Sequence, residues 1–237
     1  MREIVPQVSI YPMWKNLRNE KFTKNSACIE NADTDVINSS LLASKFTLQG
    51  ETMELLTAIR ERRSVRKYKS KPVPEEILLE ILDAARLAPS WNNTQVWRFI
   101  VVKDQDTRAR LSETLRPTNP AKAAYLDAPM VICAAAQRGL SGFYKGEAAT
   151  NRGDWFMFDT ALAMEHLALA AWQFGLGTVH VGLFDGAKAE AILKVPEGYS
   201  IVSMTPLGYF DTPPDAKPRK PLQEILYLNT YGESYIK

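Results

Sequence analysis

A chain of 237 residues with 46% hydrophobic composition can bury a sizeable core, as one large domain or two small ones. Its 29 basic and 27 acidic residues leave a net charge of +2, so no global field draws it to nucleic acid or an anionic membrane, and neither is expected as a partner. Cys28 and Cys133 lie far apart without CxxC or Cys/His spacing, which argues against a disulfide framework and against a metal site and fits a reducing, cytoplasmic setting.

Residues 1–50 alternate short apolar pieces with Asn25-Ser26, Asn31-Ala32-Asp33 and Ser39-Ser40, and no helical or strand period persists. They form an N-terminal extension whose order composition does not decide: a tail, or a segment wrapping the domain through Ile10, Tyr11 and Trp14. Pro6, Pro12 and Lys15 interrupt any apolar run near the start, and no later segment has the roughly 20 apolar residues that span a bilayer, so the chain reads as soluble. Met53 opens the first strongly patterned segment and is an alternative start.

From Thr52 to Glu61, Leu55, Leu56 and Ile59 recur at helical spacing, and the run Arg62-Arg63-Ser64-Val65-Arg66 lies where that helix gives way. Pro74-Glu75-Glu76 starts a second helix, with proline tolerated in the first turn and carboxylates favoured beside the N-terminal dipole. Ile77, Leu78, Ile81, Leu82 and Ala85 make its apolar face, and the loop Pro89-Ser90-Trp91-Asn92-Asn93 ends it. Phe99–Val102 and Met130–Ala134 read as buried strands on either side of a polar helix from Asp104 to Leu115. A Gly-containing stretch from Arg138 to Gly153 reads as mobile and leads into a long helix from Asp154 to Phe174, apolar on more than one face. Gly175-Leu176-Gly177 punctuates its end before a short β-like segment, Thr178–Val181. Ala187–Leu193 is expected to be helical, Ile201–Leu207 a strand, Pro213–Pro218 irregular, and the tail a short helix signal with Tyr227, Tyr231 and Tyr235. The patterned domain spans residues 51–230, with 231–237 as a C-terminal tail and no internal repeat.

The Arg62–Arg66 run places several anion-binding side chains together, and arginine forks with a serine hydroxyl suit a phosphate without a metal. Alone, the basic stretch from Arg60 to Lys71 also fits a solvated face or a polyanion patch. Further motifs follow in order: Ala88-Pro89-Ser90 with Asn93, Gln95 and Trp97; Gly175-Leu176-Gly177-Thr178; Pro206-Leu207-Gly208-Tyr209; and Lys217-Pro218-Arg219-Lys220-Pro221. In this combination, over about Met53 to Leu228, the chain resembles the FMN-dependent nitroreductase family.

The resemblance implies an α+β sandwich, a mainly antiparallel central sheet flanked by helices, built as an intertwined homodimer with FMN at the interface. It implies that Arg62, Arg63, Ser64 and Arg66 hold the phosphate and ribityl end, joined by Lys217 and Arg219. Pro89, Ser90 and Asn93 would approach the isoalloxazine from the other subunit, and the backbone of His180, Val181 and Gly182 would run along the ring, where an N–H can donate to N5. The flavin carries the chemistry, so no catalytic acid, base or nucleophile is expected of the protein. The family commonly has small residues where this chain has Trp91-Asn92, and proline where it has Val96; Trp91, Phe143 and Tyr144 are candidate substrate-pocket residues.

The implied activity is ping-pong transfer from NAD(P)H through FMN to a nitroaromatic, quinone or similar small acceptor. Other chemistry on the same fold (reductive dehalogenation, azole oxidation, flavin fragmentation) and an FMN-binding or polyanion-binding module without turnover are the alternatives. His166 reads as a hydrogen-bonded core or interface histidine, and with only two histidines and no GxSxG elbow a Ser/His/Asp triad has little support. The Gly175-Leu176-Gly177 run follows a helix, whereas a dinucleotide-binding turn precedes one.

Overall fold

The computed structural model of the protein describes residues 53–236. The expectations for residues 1–50, including Ile10, Tyr11 and Trp14, lie outside the described residues.

The chain builds α1 (Leu55–Glu61), α2 (Glu75–Arg86), a 3-10 turn at Trp91–Asn93, β1 (Trp97–Val102), α3 (Gln105–Ser112) and α4 (Ala124–Asp127). There follow β2 (Met130–Gln137), a small hairpin of β3 (Phe143–Tyr144) and β4 (Glu147–Ala148), α5 (Phe156–Gln173), β5 (Leu176–Thr178), α6 (Gly186–Leu193) and β6 (Tyr199–Tyr209). The main sheet has the order β1-β2-β6-β5, antiparallel at every pairing.

Helices cover both faces of this sheet, which explains why β2 reads as an unbroken apolar run. Val131, Cys133 and Ala135 point to one face with Leu111, Tyr125 and Met204. Met130, Ile132 and Ala134 point to the other, against Leu78 and Ile81 of α2 and Met164 and Leu167 of α5. Each large side chain so buried contributes roughly 1.5–3 kcal/mol. The architecture is the expected α+β sandwich. Cys133 is fully buried, and burial pushes its thiol up to about 12, so it is packing rather than nucleophile.

Capping sets the local boundaries. Asp104 accepts from the Thr107 peptide N–H at 2.7 Å and Asp185 from that of Lys188 at 3.1 Å, so α3 and α6 start where those carboxylates stand, with both carboxyl pKa values held low by the bonds. Helix α3 stops at Ser112, short of the Leu115 expected, as the Thr114 hydroxyl turns back to Leu111 O. Arg108 is buried and donates to the carbonyls of Tyr125 and Leu126 at 2.9 and 3.0 Å, closing the end of α4.

Two further differences matter for the site. Only Gly175, with φ +69°, ends α5; Leu176 and Gly177 are already strand, and beyond Thr178 only Val181 bridges to β6. The Arg138–Gly153 stretch carries the β3–β4 hairpin, a short pairing of Phe143 with Ala148 and Tyr144 with Glu147 that no alternation in the sequence announces. Among the described residues no helix is long and apolar enough to cross a membrane, and no His/Cys/Asp/Glu group could hold a metal ion.

Candidate functional site

The Arg62–Arg66 segment is stitched onto the sheet as one residue of extra strand. Ser64 bridges Thr178 in parallel, and the Val65 peptide N–H donates to Thr178 O at 2.9 Å. Val65 is buried and packs with Ala58 and Trp172. A Cβ added at Gly177 would lie 2.6 Å from Val65 Cβ, so the absence of a side chain at Gly177 is what lets the basic segment close on β5. The Tyr68 hydroxyl fixes the exit of the segment, donating to Val65 O at 2.8 Å and Pro206 O at 3.2 Å; burial raises its pKa well above the ordinary tyrosine value.

The four polar side chains of this segment end in different states. The buried Arg62 Nε lies 3.4 Å from Glu165 Oε1 of α5, an ion-pair contact without hydrogen-bond geometry. Arg63 folds back on the C-terminus of α1, donating to Arg60 O at 2.6 Å and Arg62 O at 2.9 Å. Arg66 donates to Ser64 O at 3.0 Å and lines a cavity of about 350 Å³ together with His180, Val181, Gly182 and Arg116, a size suited to a small-molecule site. Ser64 is half-buried at the bridge to β5.

Desolvation, and then the Arg62 guanidinium, lower the His180 pKa to about 4. The imidazole side chain is 35% exposed, which moderates the desolvation, but the guanidinium acts in the same direction and the ring is neutral at pH 7. Its 3.9 Å approach to Glu165 is therefore not an ion pair. Positive charge at the cavity comes from Arg66 and Arg116.

Pro89, Ser90 and Asn93 do not line this cavity. They belong to a loop beside the N-terminal end of α5, where Asp159, 1% exposed, accepts the Trp91 peptide N–H at 3.1 Å on each carboxyl oxygen. The Trp91 ring packs on Trp155, centroids 5.5 Å apart, and is half-buried, so it is neither free surface nor closed core. Phe143 is half-buried and Tyr144 exposed, on the hairpin whose base meets the same helix end. Lys217 and Arg219 lie on an exposed arm, where Arg219 donates to Lys217 O at 3.4 Å, and neither is brought to Arg62 by a contact within the described residues.

The structure thus gathers Arg62, Ser64, Arg66, His180, Val181 and Gly182 along β5, and leaves the Pro89–Asn93 loop and the Lys217–Arg219 arm elsewhere on the same chain. Sequence reading missed Glu165, Arg116 and Asp159. Asp159 and Glu165 had a signal, carboxylates amid the apolar residues of α5; Arg116 had none, since it becomes relevant only through the neighbours the fold supplies. Arg66 and Arg116 on the cavity, with residues 179–182 along its wall, fit an anionic group joined to a flat body.

The sequence profile of the nitroreductase family matches residues 59–209. A protein of Methanothermobacter thermautotrophicus, named among the NADH dehydrogenases and NAD(P)H nitroreductases, is 34% identical over 164 residues, covering 66% of this chain and 78% of that protein. A solved nitroreductase family protein from Clostridium novyi is 34% identical with a TM-score of 0.60, covering 77% of this chain and 97% of its own. A solved FMN-dependent nitroreductase from Clostridium difficile is 26% identical with a TM-score of 0.62, covering 74% and 99%.

Proposed function

The chain belongs to the nitroreductase family, and we propose that it is an FMN-dependent NAD(P)H oxidoreductase acting on a flat acceptor such as a nitroaromatic or a quinone. The observation that carries this reading is the stitching of Arg62–Arg66 to β5, which sets Arg66 and residues His180–Gly182 on one cavity that also holds Arg116.

In this reading Arg62, Ser64 and Arg66 hold the FMN phosphate and ribityl end. A desolvated dianion needs several fixed donors, and Lys217 and Arg219 join them from the arm. Arg63 takes part only by releasing the α1 carbonyls it now satisfies. His180, Val181 and Gly182 contribute backbone along the ring; the neutral imidazole adds no charge there. Held there, FMN would supply the hydride chemistry that links NAD(P)H to the acceptor in a ping-pong cycle. The protein's part is to bind, orient and shield, with no side chain acting as acid or base.

A homodimer completes the site, with Pro89, Ser90 and Asn93 facing the partner's flavin. Supporting it, Leu55, Leu56 and Ile59 on α1 are 63%, 59% and 51% exposed, and a groove of about 450 Å³ lined by Met53, Leu55, Ala58, His166 and Leu169 adjoins them. His166, half-buried with Nδ1 3.2 Å from Ala84 O, belongs to that groove and fits an interface histidine. Purified protein should bind FMN, absorb in the visible and oxidise NADH or NADPH when given nitroaromatics, quinones or free flavin. Failure to take up FMN would overturn the reading; uptake without turnover would reduce it to a binding module.

A further inference from the structure

The Ser90–Gln95 loop is held in an unfavourable backbone. Asn92, Asn93 and Gln95 have φ of 45°, 57° and 47°, left-handed values that asparagine tolerates and glutamine adopts rarely. Within the loop, the Gln95 peptide N–H donates to Ser90 Oγ at 3.0 Å and the Gln95 side-chain amide to Asn93 Oδ1 at 3.2 Å. These bonds shape the turn, and the Asp159 carboxyl supplies an anchor from outside it. The carboxyl takes the Trp91 peptide N–H on both oxygens, and Oδ2 also lies 3.5 Å from Thr94 Oγ1 and accepts the Ser141 hydroxyl at 2.6 Å.

Ser141 is 0% exposed and stands at the root of the β3–β4 hairpin. Its carbonyl accepts the Trp155 peptide N–H at 3.0 Å, and the neighbouring Gly142 carbonyl accepts that of Ala149 at 2.8 Å. Gly142, at φ +83°, has no room for a side chain, since a Cβ would fall 2.5 Å from Trp155 Cδ1 and 2.7 Å from Gly153 O. Trp155 in turn carries the Trp91 ring on one side and donates through Nε1 to Thr150 Oγ1 at 3.3 Å. A buried carboxyl is costly unless fully hydrogen-bonded, and here its donors come from two segments outside its own helix.

We infer that Asp159 is a positioning residue that sets the Ser90–Gln95 loop and the base of the Phe143–Tyr144 hairpin against one another, so that the cofactor-facing loop and the acceptor-facing hairpin share a single anchor. The inference rests on the proposed function for what each segment faces. Asp159 touches neither ligand; it acts through the Trp91 peptide on one side and the Ser141 hydroxyl on the other.

The test uses the full-length protein, FMN as the titrated probe, and a quinone as acceptor. Asp159→Asn keeps the shape, so the fold is expected to persist, but it leaves the Trp91 peptide N–H one acceptor oxygen instead of two and replaces an acceptor with an amide donor, so FMN binding should weaken on the order of tenfold. Ser141→Ala frees only the hairpin, so it should raise the acceptor KM about threefold or more, leaving FMN affinity and kcat within about twofold. A purely structural role would instead move melting temperature without separating FMN affinity from acceptor KM. Arg62→Ala serves as the reference. If it loses FMN while Asp159→Asn keeps wild-type FMN affinity, the inference fails alone; if the wild-type protein itself takes up no FMN, the proposed function fails and the inference with it. Should Asp159→Asn not fold, an unchanged acceptor KM in Ser141→Ala overturns the inference by itself.

Discussion

Two basic segments of this chain, Arg62–Arg66 and Lys217–Arg219, share their chemistry and differ in everything that holds them. The first is bonded to β5 through Val65, packed on Gly177, and flanked by Glu165 and Tyr68. The second lies in an arm whose residues 211–225 are all exposed, with a 3-10 turn at Leu222–Glu224 as its regular structure and an ion pair between Lys69 and Asp211 at its root. The arm also exposes Leu222, Ile225 and Tyr231 at 60%, 58% and 91%. One segment is positioned by the residues around it; the other carries apolar and cationic groups that no contact among the described residues covers. A phosphate contacted by both would couple the folded core to assembly.

The sharpest way to break this contrast is at the glycine beneath the first segment. Gly177→Ala forces a Cβ to within 2.6 Å of Val65 Cβ, and overpacking of this kind costs about 1–3 kcal/mol. Urea denaturation should show the loss, accompanied by weaker FMN retention; an unchanged midpoint would mean that the segment is not held by this contact. Next come the arginines themselves. Arg62→Ala and Arg219→Ala should each weaken FMN by on the order of 2 kcal/mol, roughly 30-fold, since each removes a charge-assisted partner from a desolvated anion. Sedimentation sharpens the comparison: the Arg219 contribution should disappear on dilution to monomer, and an FMN-saturated monomer would remove the arm from the site.

Trp91 lies between the two extremes, half-buried against Trp155 and anchored at its peptide by Asp159. Trp91→Gly should shift the kcat/KM ratio between small and large quinones by on the order of tenfold while FMN content holds. A large drop in melting temperature with an unchanged ratio would assign Trp91 to packing alone. The smallest effect concerns His180. Its folded pKa of about 4 lies below the ordinary 6.5, so as pH falls from 6.5 toward 4 the unfolded chain takes up a proton that the folded one refuses, and stability declines over that window. Removing the imidazole in His180→Gln should flatten the decline. Melting curves across that pH range that superimpose for the two proteins would place its cause elsewhere.

Much of the architecture was legible from periodicity. The apolar run of β2 and the amphipathic face of α2 each state how many faces are buried, because burial on a sheet or helix repeats with the geometry of the element, whereas α5, apolar on more than one face, leaves Met157 and Phe158 exposed. The hairpin at Phe143–Ala148 was not, since two residues per strand are too few for alternation to register. The order of the Arg/Ser, Pro-Ser and Gly-Leu-Gly-Thr motifs likewise carried the family resemblance, and with it the expectation of FMN.

By itself, then, the sequence determined which residues could bind an anion and which faces would be buried, because both are properties of residue type and spacing. Only the tertiary structure decided which of those residues meet. Val65 lies on Gly177, Arg63 turns back to the carbonyls of α1, Glu165 stands between Arg62 and His180, and Asp159 reaches a peptide 68 residues away. Such pairings are set by the packing of whole elements against one another, and a local pattern records the face a side chain occupies without recording the neighbour it will find there.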